Sequence, residues 1–274
     1  MDMISLRHID KRYGAHRTLE DVNLTIGKGE IYGLVGKNGA GKTTIFKIIL
    51  GLTQCDAGVL SIAGSQSRAG LSSARRKIGF FIGKNFFDYL TARENLEYYR
   101  QMKGIADGGE VERVLRCVGL QDATAKFGSF SMGMKQRLGI ANAMLGNPEI
   151  LILDEPVNGL DPQGIADVRS LIVRLNAEQG TTVVVSSHIL GELEHTATRF
   201  GILDHGRVLR EITREDLRVR SDAIQIRVSD CERARRILAE HDIALLQEGA
   251  AYKSLEDYYF ELVGGKPYDP LYQR

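Results

Sequence analysis

Residues 36–44 constrain this chain more than any others. They read Gly36, Lys37, Asn38, Gly39, Ala40, Gly41, Lys42, Thr43 and Thr44, which satisfies the spacing G-x-x-x-x-G-K-[ST]. In such a loop the glycines let backbone N–H groups converge on phosphate oxygens. A lysine placed like Lys42 reaches the β- and γ-phosphates, and a hydroxyl placed like that of Thr43 sits on Mg²⁺. The flanks set the local fold. Glu30, Ile31, Tyr32, Gly33, Leu34 and Val35 form an apolar run before the loop, and residues 44–50 continue with helical potential. A strand, a glycine loop and a helix in that order aim a helix N-terminus at an anion. The segment therefore predicts a parallel α/β core that binds a nucleotide.

Bulk properties narrow the setting. The chain has 274 residues, 43% of them hydrophobic, enough for one large core and a small second one. Its 36 basic and 35 acidic residues leave a net charge of +1, so bulk charge suggests no nucleic-acid partner. Cys55, Cys117 and Cys231 stand far apart in no metal spacing and read as reduced thiols. The first residues lack the basic start and apolar core of a signal peptide. The longest apolar runs, such as 150–153 and 183–185, are far short of a membrane span. The expectation is a soluble cytoplasmic protein, for which another chain would supply any membrane function.

Period-two alternation over residues 4–9 and 19–26 predicts antiparallel strands ahead of the loop strand, and residues 58–64 read as a third strand of that small sheet. Residues 67–77 are basic and polar and suggest no element, whereas 77–82 read as a buried strand. Thr91 and Glu94 form a capping box that opens a helix through Met102. Residues 111–118 and 131–145 continue in helical period, giving a helical insertion over about 86–146. Residues 149–153 and 182–185 then suit parallel strands covered on both faces, with a helix over 164–179 between them. Residues 200–210 read as a hairpin around Asp204, His205 and Gly206. The remainder predicts a short helix from Thr213, a strand over 223–228 and a basic helix over 232–240.

The 149–153 run ends in Asp154 and Glu155. Ligands bind at the C-terminal ends of parallel strands, so these carboxylates belong beside the phosphate loop. Asp154 is placed to hold Mg²⁺ through water, and Glu155 to polarise an attacking water.

Ser129, Phe130, Ser131, Met132, Gly133, Met134, Lys135, Gln136, Arg137, Leu138 and Gly139 lie just upstream. This run closely resembles the signature motif of ABC-transporter ATPases, in the form common among export and drug-resistance members. With the phosphate loop and the acidic strand, the resemblance covers residues 2–212, and the subtype it most resembles is bacterial bacitracin or lantibiotic export and immunity. It implies a P-loop NTPase core with an N-terminal antiparallel β-subdomain and an inserted helical subdomain, followed by an accessory subdomain over 213–274. It also implies that Ser131 to Lys135 act in trans, at a helix start facing the γ-phosphate of ATP held by a second copy or a paralogous ATPase subunit. By the same resemblance Tyr13 stacks on adenine, Asp161 in the run Gly159, Leu160, Asp161 is the D-loop residue, and His188 is the switch histidine that holds Glu155. The implied activity is hydrolysis of ATP with Mg²⁺, driving a separate membrane permease from the inner face of the membrane.

Two positions depart from the pattern. Lys37 stands where relatives generally carry proline, which adds a cation at the loop's rim. Gly83 stands at or near a glutamine that contacts Mg²⁺ and water in the family, leaving Lys84 or Asn85 as substitutes, or water alone. Phe86, Phe87 and Tyr89 fall where relatives receive a permease helix, and equally suit a core. The rival readings are an ABC ATPase without a permease, in DNA repair or translation, and an unrelated phosphate-loop kinase. The first needs long coiled coils or a second cassette, which this chain lacks, and the second has no use for the run at 131–138.

Overall fold

The computed structural model describes residues 2–83, 86–188, 190–217, 231–241 and 262. The chain divides into two compact units, Met1–Arg214 and Glu215–Arg274. The first unit starts with strands β1 (Asp2–Tyr13) and β2 (His16–Gly27), then β3 (Ile31–Val35), helix α1 (Lys42–Leu50) and β4 (Ala57–Ile62). Next come α2 (Arg68–Arg75), β5 (Ile78–Phe81), α3 (Ala92–Met102), α4 (Glu110–Cys117) and α5 (Met132–Met144). It closes with β6 (Ile150–Asp154), α6 (Pro162–Gln179), β7 (Thr182–Ser187), α7 (Leu190–Glu194), β8 (Arg199–Asp204) and β9 (Arg207–Thr213), and α8 (Arg214–Leu217) follows. In the second unit, α9 (Cys231–Glu240) matches the basic helix read from the sequence; the strand expected over 223–228 lies outside the described residues.

Two sheets result. The small one has the order β2-β1-β4 and is antiparallel, as the alternating pattern predicts. The large one has the order β5-β6-β7-β3-β8-β9 and is parallel except for β9, which returns antiparallel on β8 as the 200–210 hairpin. All five residues of β3 and all six of β7 are buried, the mark of central strands covered on both faces. Tyr32, Phe46 and Phe200 are among the largest side chains lost entirely to this core.

The helical insertion follows β5 and ends where β6 begins. Thr91 and Glu94 form the predicted capping box at the start of α3. Glu110 of α4 accepts hydrogen bonds from Arg113 and from the backbone N–H of Gly146, at 2.6 and 2.7 Å, so α4 is tied to the turn after α5. The Arg113 hydrogen bond holds the Glu110 carboxyl below the ordinary range. Residues 67–77, to which the sequence assigned no element, contain α2. Ser67 caps it by accepting from the Gly70 N–H, and Arg75 on its last turn donates to the carbonyls of Ile48 and Ile49 at the end of α1. A cation there complements the negative end of α1. Cys55 and Cys117 are free thiols. Among the described residues no helix is long and apolar enough to cross a membrane.

Candidate active site

The phosphate loop joins β3 to α1, and Lys42 is the first helical residue. No side chain caps that helix start and no acidic residue lies in its first turn, so its N–H groups and positive end are left for an anion. Gly36 is required by close approach, since a Cβ there would lie 2.4 Å from the Leu203 carbonyl oxygen. Lys37, Asn38 and Gly39 are exposed at the rim, Ala40 and Gly41 are buried, and Thr43 and Thr44 are half-buried. Lys42 is only 6% exposed; its Nζ donates to the carbonyls of Gly36 and Lys37 at 2.5 and 3.2 Å.

Strand β6 delivers the two acids to this loop. Thr43 Oγ1 donates to Asp154 Oδ2 at 2.7 Å, and Ser186 Oγ donates to Asp154 Oδ1 at 2.6 Å. Ser186 lies opposite Asp154 in the parallel register and is wholly buried. Its hydroxyl also accepts from the Glu155 N–H at 2.9 Å, so one serine orients both acids. Sequence reasoning missed Ser186, although the two serines that follow the valine run of β7 were the available signal. Glu155 has a φ of 50°, a left-handed conformation that a non-glycine residue adopts at a cost and that recurs at active sites. Its carboxylate is held from two sides. Lys42 Nζ lies 3.1 Å from Oε1, and His188 Nδ1 lies 2.7 Å from Oε2. Oε1 is buried and makes no hydrogen bond, which leaves the ammonium as its compensation.

Ser131 caps α5, accepting from the Met134 N–H at 3.3 Å. Gly133 is open, with the nearest atom 3.9 Å from where a Cβ would stand. Met132 is exposed, and Lys135 lies 5.3 Å over the Phe127 ring. Asp161 caps α6 by accepting from the Gly164 N–H at 3.1 Å. Ser131, Gly133, Leu160 and Asp161 line one open groove of about 340 Å³. Its lining includes none of residues 36–44, 154, 155 or 188, so the groove at the start of α5 is distinct from the phosphate loop.

Tyr13 ends β1 opposite His16, half exposed, with the Lys11 ammonium 5.3 Å from its ring centre. The Gly206 N–H donates to the Ala40 carbonyl at 3.1 Å, and the Glu20 N–H donates to the Gly206 carbonyl at 2.8 Å. The hairpin carrying Tyr13 is thereby tied to the phosphate loop.

Gly83 has a φ of 74° with open space around its Cβ position. A left-handed φ is one that glycine adopts freely and other residues adopt at a cost, so the geometry favours a turn that needs glycine over a position that has merely lost a glutamine. Lys84 and Asn85 lie outside the described residues. Phe86 packs against Tyr99 and Phe127, and Phe87 against Tyr98 and Tyr89, with centroids 5.0–5.8 Å apart. Phe86 and Phe87 are half-buried in this cluster while Tyr89 is exposed.

The family model described as ABC transporter matches residues 19–158. The bacitracin transport ATP-binding protein BcrA of Bacillus licheniformis is 36% identical over 96% of this chain and 98% of its own length. The lantibiotic transport ATP-binding protein SrtF of Streptococcus pyogenes is 40% identical over 76% of this chain and 90% of its own. Among solved structures, an ATP-binding subunit of an ABC transporter superposes with a TM-score of 0.71 at 31% identity, covering 95% of this chain and 99% of that one. A dimeric ATP-binding cassette in a post-hydrolysis state, bound to ADP and Pi, superposes with a TM-score of 0.69 at 31% identity over 77% of this chain and 99% of its own. The chain belongs to the ABC transporter family, as one of its ATP-binding, ATP-hydrolysing subunits.

Proposed function

We propose that this subunit powers export of a peptide antibiotic or a related drug through a separate permease, from the cytoplasmic face of the membrane. The names of its relatives support this cargo class, and residues 213–274 are then an accessory subdomain. The observation that carries the catalytic reading is the single cluster formed by Lys42, Thr43, Asp154, Glu155, Ser186 and His188.

In that reading the open start of α1 and Lys42 hold the β- and γ-phosphates, while Tyr13 stacks on the adenine. Thr43 and Asp154, with oxygens 2.7 Å apart, fit neighbouring positions around one small hard cation and would hold Mg²⁺. Bound there, the ion neutralises charge on the phosphates. Nucleotide must take Lys42 from Glu155, which frees that carboxylate to accept a proton from the attacking water. His188 fixes the carboxylate's orientation, and Ser186 holds both acids in place. Ser131 to Lys135 of a second subunit complete the site with a helix N-terminus, and Asp161 stands beside that helix in its groove.

The export reading is tested by expressing the chain with the membrane subunit of a bacitracin exporter, in a host sensitive to bacitracin. Wild type is expected to raise tolerance and Glu155→Gln to give none. Equal tolerance from both would refute coupling of transport to hydrolysis, and no tolerance from either would refute the cargo class.

A further inference from the structure

Helix α6 starts at the Asp161 cap, and α7 starts two residues after His188. One ion pair joins them. Arg169 Nη1 of α6 lies 3.8 Å from Glu192 Oε2 of α7, with both side chains about two-thirds or more buried. That Glu192 oxygen is itself buried and has no hydrogen-bond partner. A carboxylate oxygen withdrawn from water without a hydrogen bond is costly to keep, and the guanidinium is the charge that compensates it. Both residues also line a small pocket of about 20 Å³, room for one water, whose walls include Pro156, Val157 and Ser187. Pro156 follows Glu155 and Ser187 precedes His188.

We propose that Arg169 and Glu192 are positioning residues for hydrolysis: their ion pair, lining one pocket with Pro156 and Ser187, fixes the ends of β6 and β7 against α6. Neither residue touches the phosphate loop in this arrangement. The pair acts on the two groups through their backbone neighbours, so it affects the geometry of water activation while leaving nucleotide binding alone. Because α6 begins at Asp161, the same contact links that loop to the switch histidine. This rests on the assignment of Glu155 and His188 to catalysis made above.

The experiment compares steady-state ATP hydrolysis and thermal melts for wild type, Arg169→Lys, Arg169→Met, Glu192→Gln, the Arg169→Met/Glu192→Gln pair and Glu155→Gln. Each assay is run at the same interval below that variant's own Tm. Arg169→Met and Glu192→Gln are each expected to lower kcat about three- to tenfold, as a small misplacement of reacting groups does, with KM for ATP unchanged within about twofold. The double variant should be no worse than the poorer single one, and Arg169→Lys should recover most of the loss. Wild-type kcat in Glu192→Gln, additive losses in the double variant, or a loss in KM rather than kcat would each overturn the proposal. Glu155→Gln separates the two levels: if it turns over like wild type, the catalytic assignment fails first; if it is inactive while Glu192→Gln is unaffected, only the positioning role fails.

Discussion

Glu155→Gln keeps the shape of the side chain while removing its charge and its capacity to take a proton. Two effects follow from its two contacts. Loss of a general base costs roughly 10²- to 10⁴-fold in turnover, or about 3–5 kcal/mol in the barrier. The second effect is on binding. Lys42 Nζ sits 3.1 Å from Glu155 Oε1, a gross attraction of about 5 kcal/mol at an effective dielectric of 20. Most of that gross attraction is offset by the cost of desolvating the two charges, so only a small part of it opposes nucleotide binding. Nucleotide phosphates must draw the lysine away from this carboxylate. An amide competes less, so the variant should bind ATP as well as wild type or up to about tenfold more tightly, about 1.4 kcal/mol. Phosphate release measures the first effect and calorimetric titration with ATP measures the second. Turnover within a few-fold of wild type, or ATP affinity reduced tenfold, would refute the argument.

Lys42→Ala removes the cation that the phosphates require and leaves the Glu155 oxygen buried without compensation. ATP affinity should fall at least about tenfold by calorimetry, the opposite of the Glu155→Gln result. Gly83→Gln forces a side chain onto a backbone at φ 74°, which costs about 1–2 kcal/mol. Its melt should drop by several degrees with no gain in ATPase rate, and a faster enzyme of unchanged Tm would restore the missing-ligand reading. Glu110→Gln should destabilise by about 1–3 kcal/mol, since Arg113 and the Gly146 N–H lose a charged partner. Arg113 depresses the Glu110 pKa in the folded state, so this stabilisation is complete above the ordinary value of 4.5 and is lost as pH falls below it. Melts at pH 7 and pH 4 should therefore show wild type and Glu110→Gln converging at the lower pH.

The elements that could be read from the chain were those with strong local signals. The capping box at Thr91 and Glu94, the acids ending β6 and the hairpin around His205 each depend on spacing within a few residues, and each stands in the structure where that spacing puts it. Helix α2 went unread because its serines and Gly70 have weak helix propensity; it is fixed instead by the Ser67 cap and by Arg75 on the end of α1. Ser186 and Glu192 went unread for a different reason. Their partners, Asp154 and Arg169, are 32 and 23 residues away, and only the pairing of β6 with β7 and the packing of α7 toward α6 bring them together. The separation of the signature groove from the phosphate loop is likewise a property of the fold and is not visible in the order of the motifs.

That separation carries the central claim, that one active site is built from two subunits. Sedimentation of Glu155→Gln with Mg-ATP, against the same protein without nucleotide, tests it most directly. The account predicts a nucleotide-dependent shift from monomer to dimer, abolished when Ser131→Arg places a bulky cation at the signature helix. A protein that binds ATP and remains monomeric at every concentration, or one that dimerises equally well with Ser131→Arg, would contradict it.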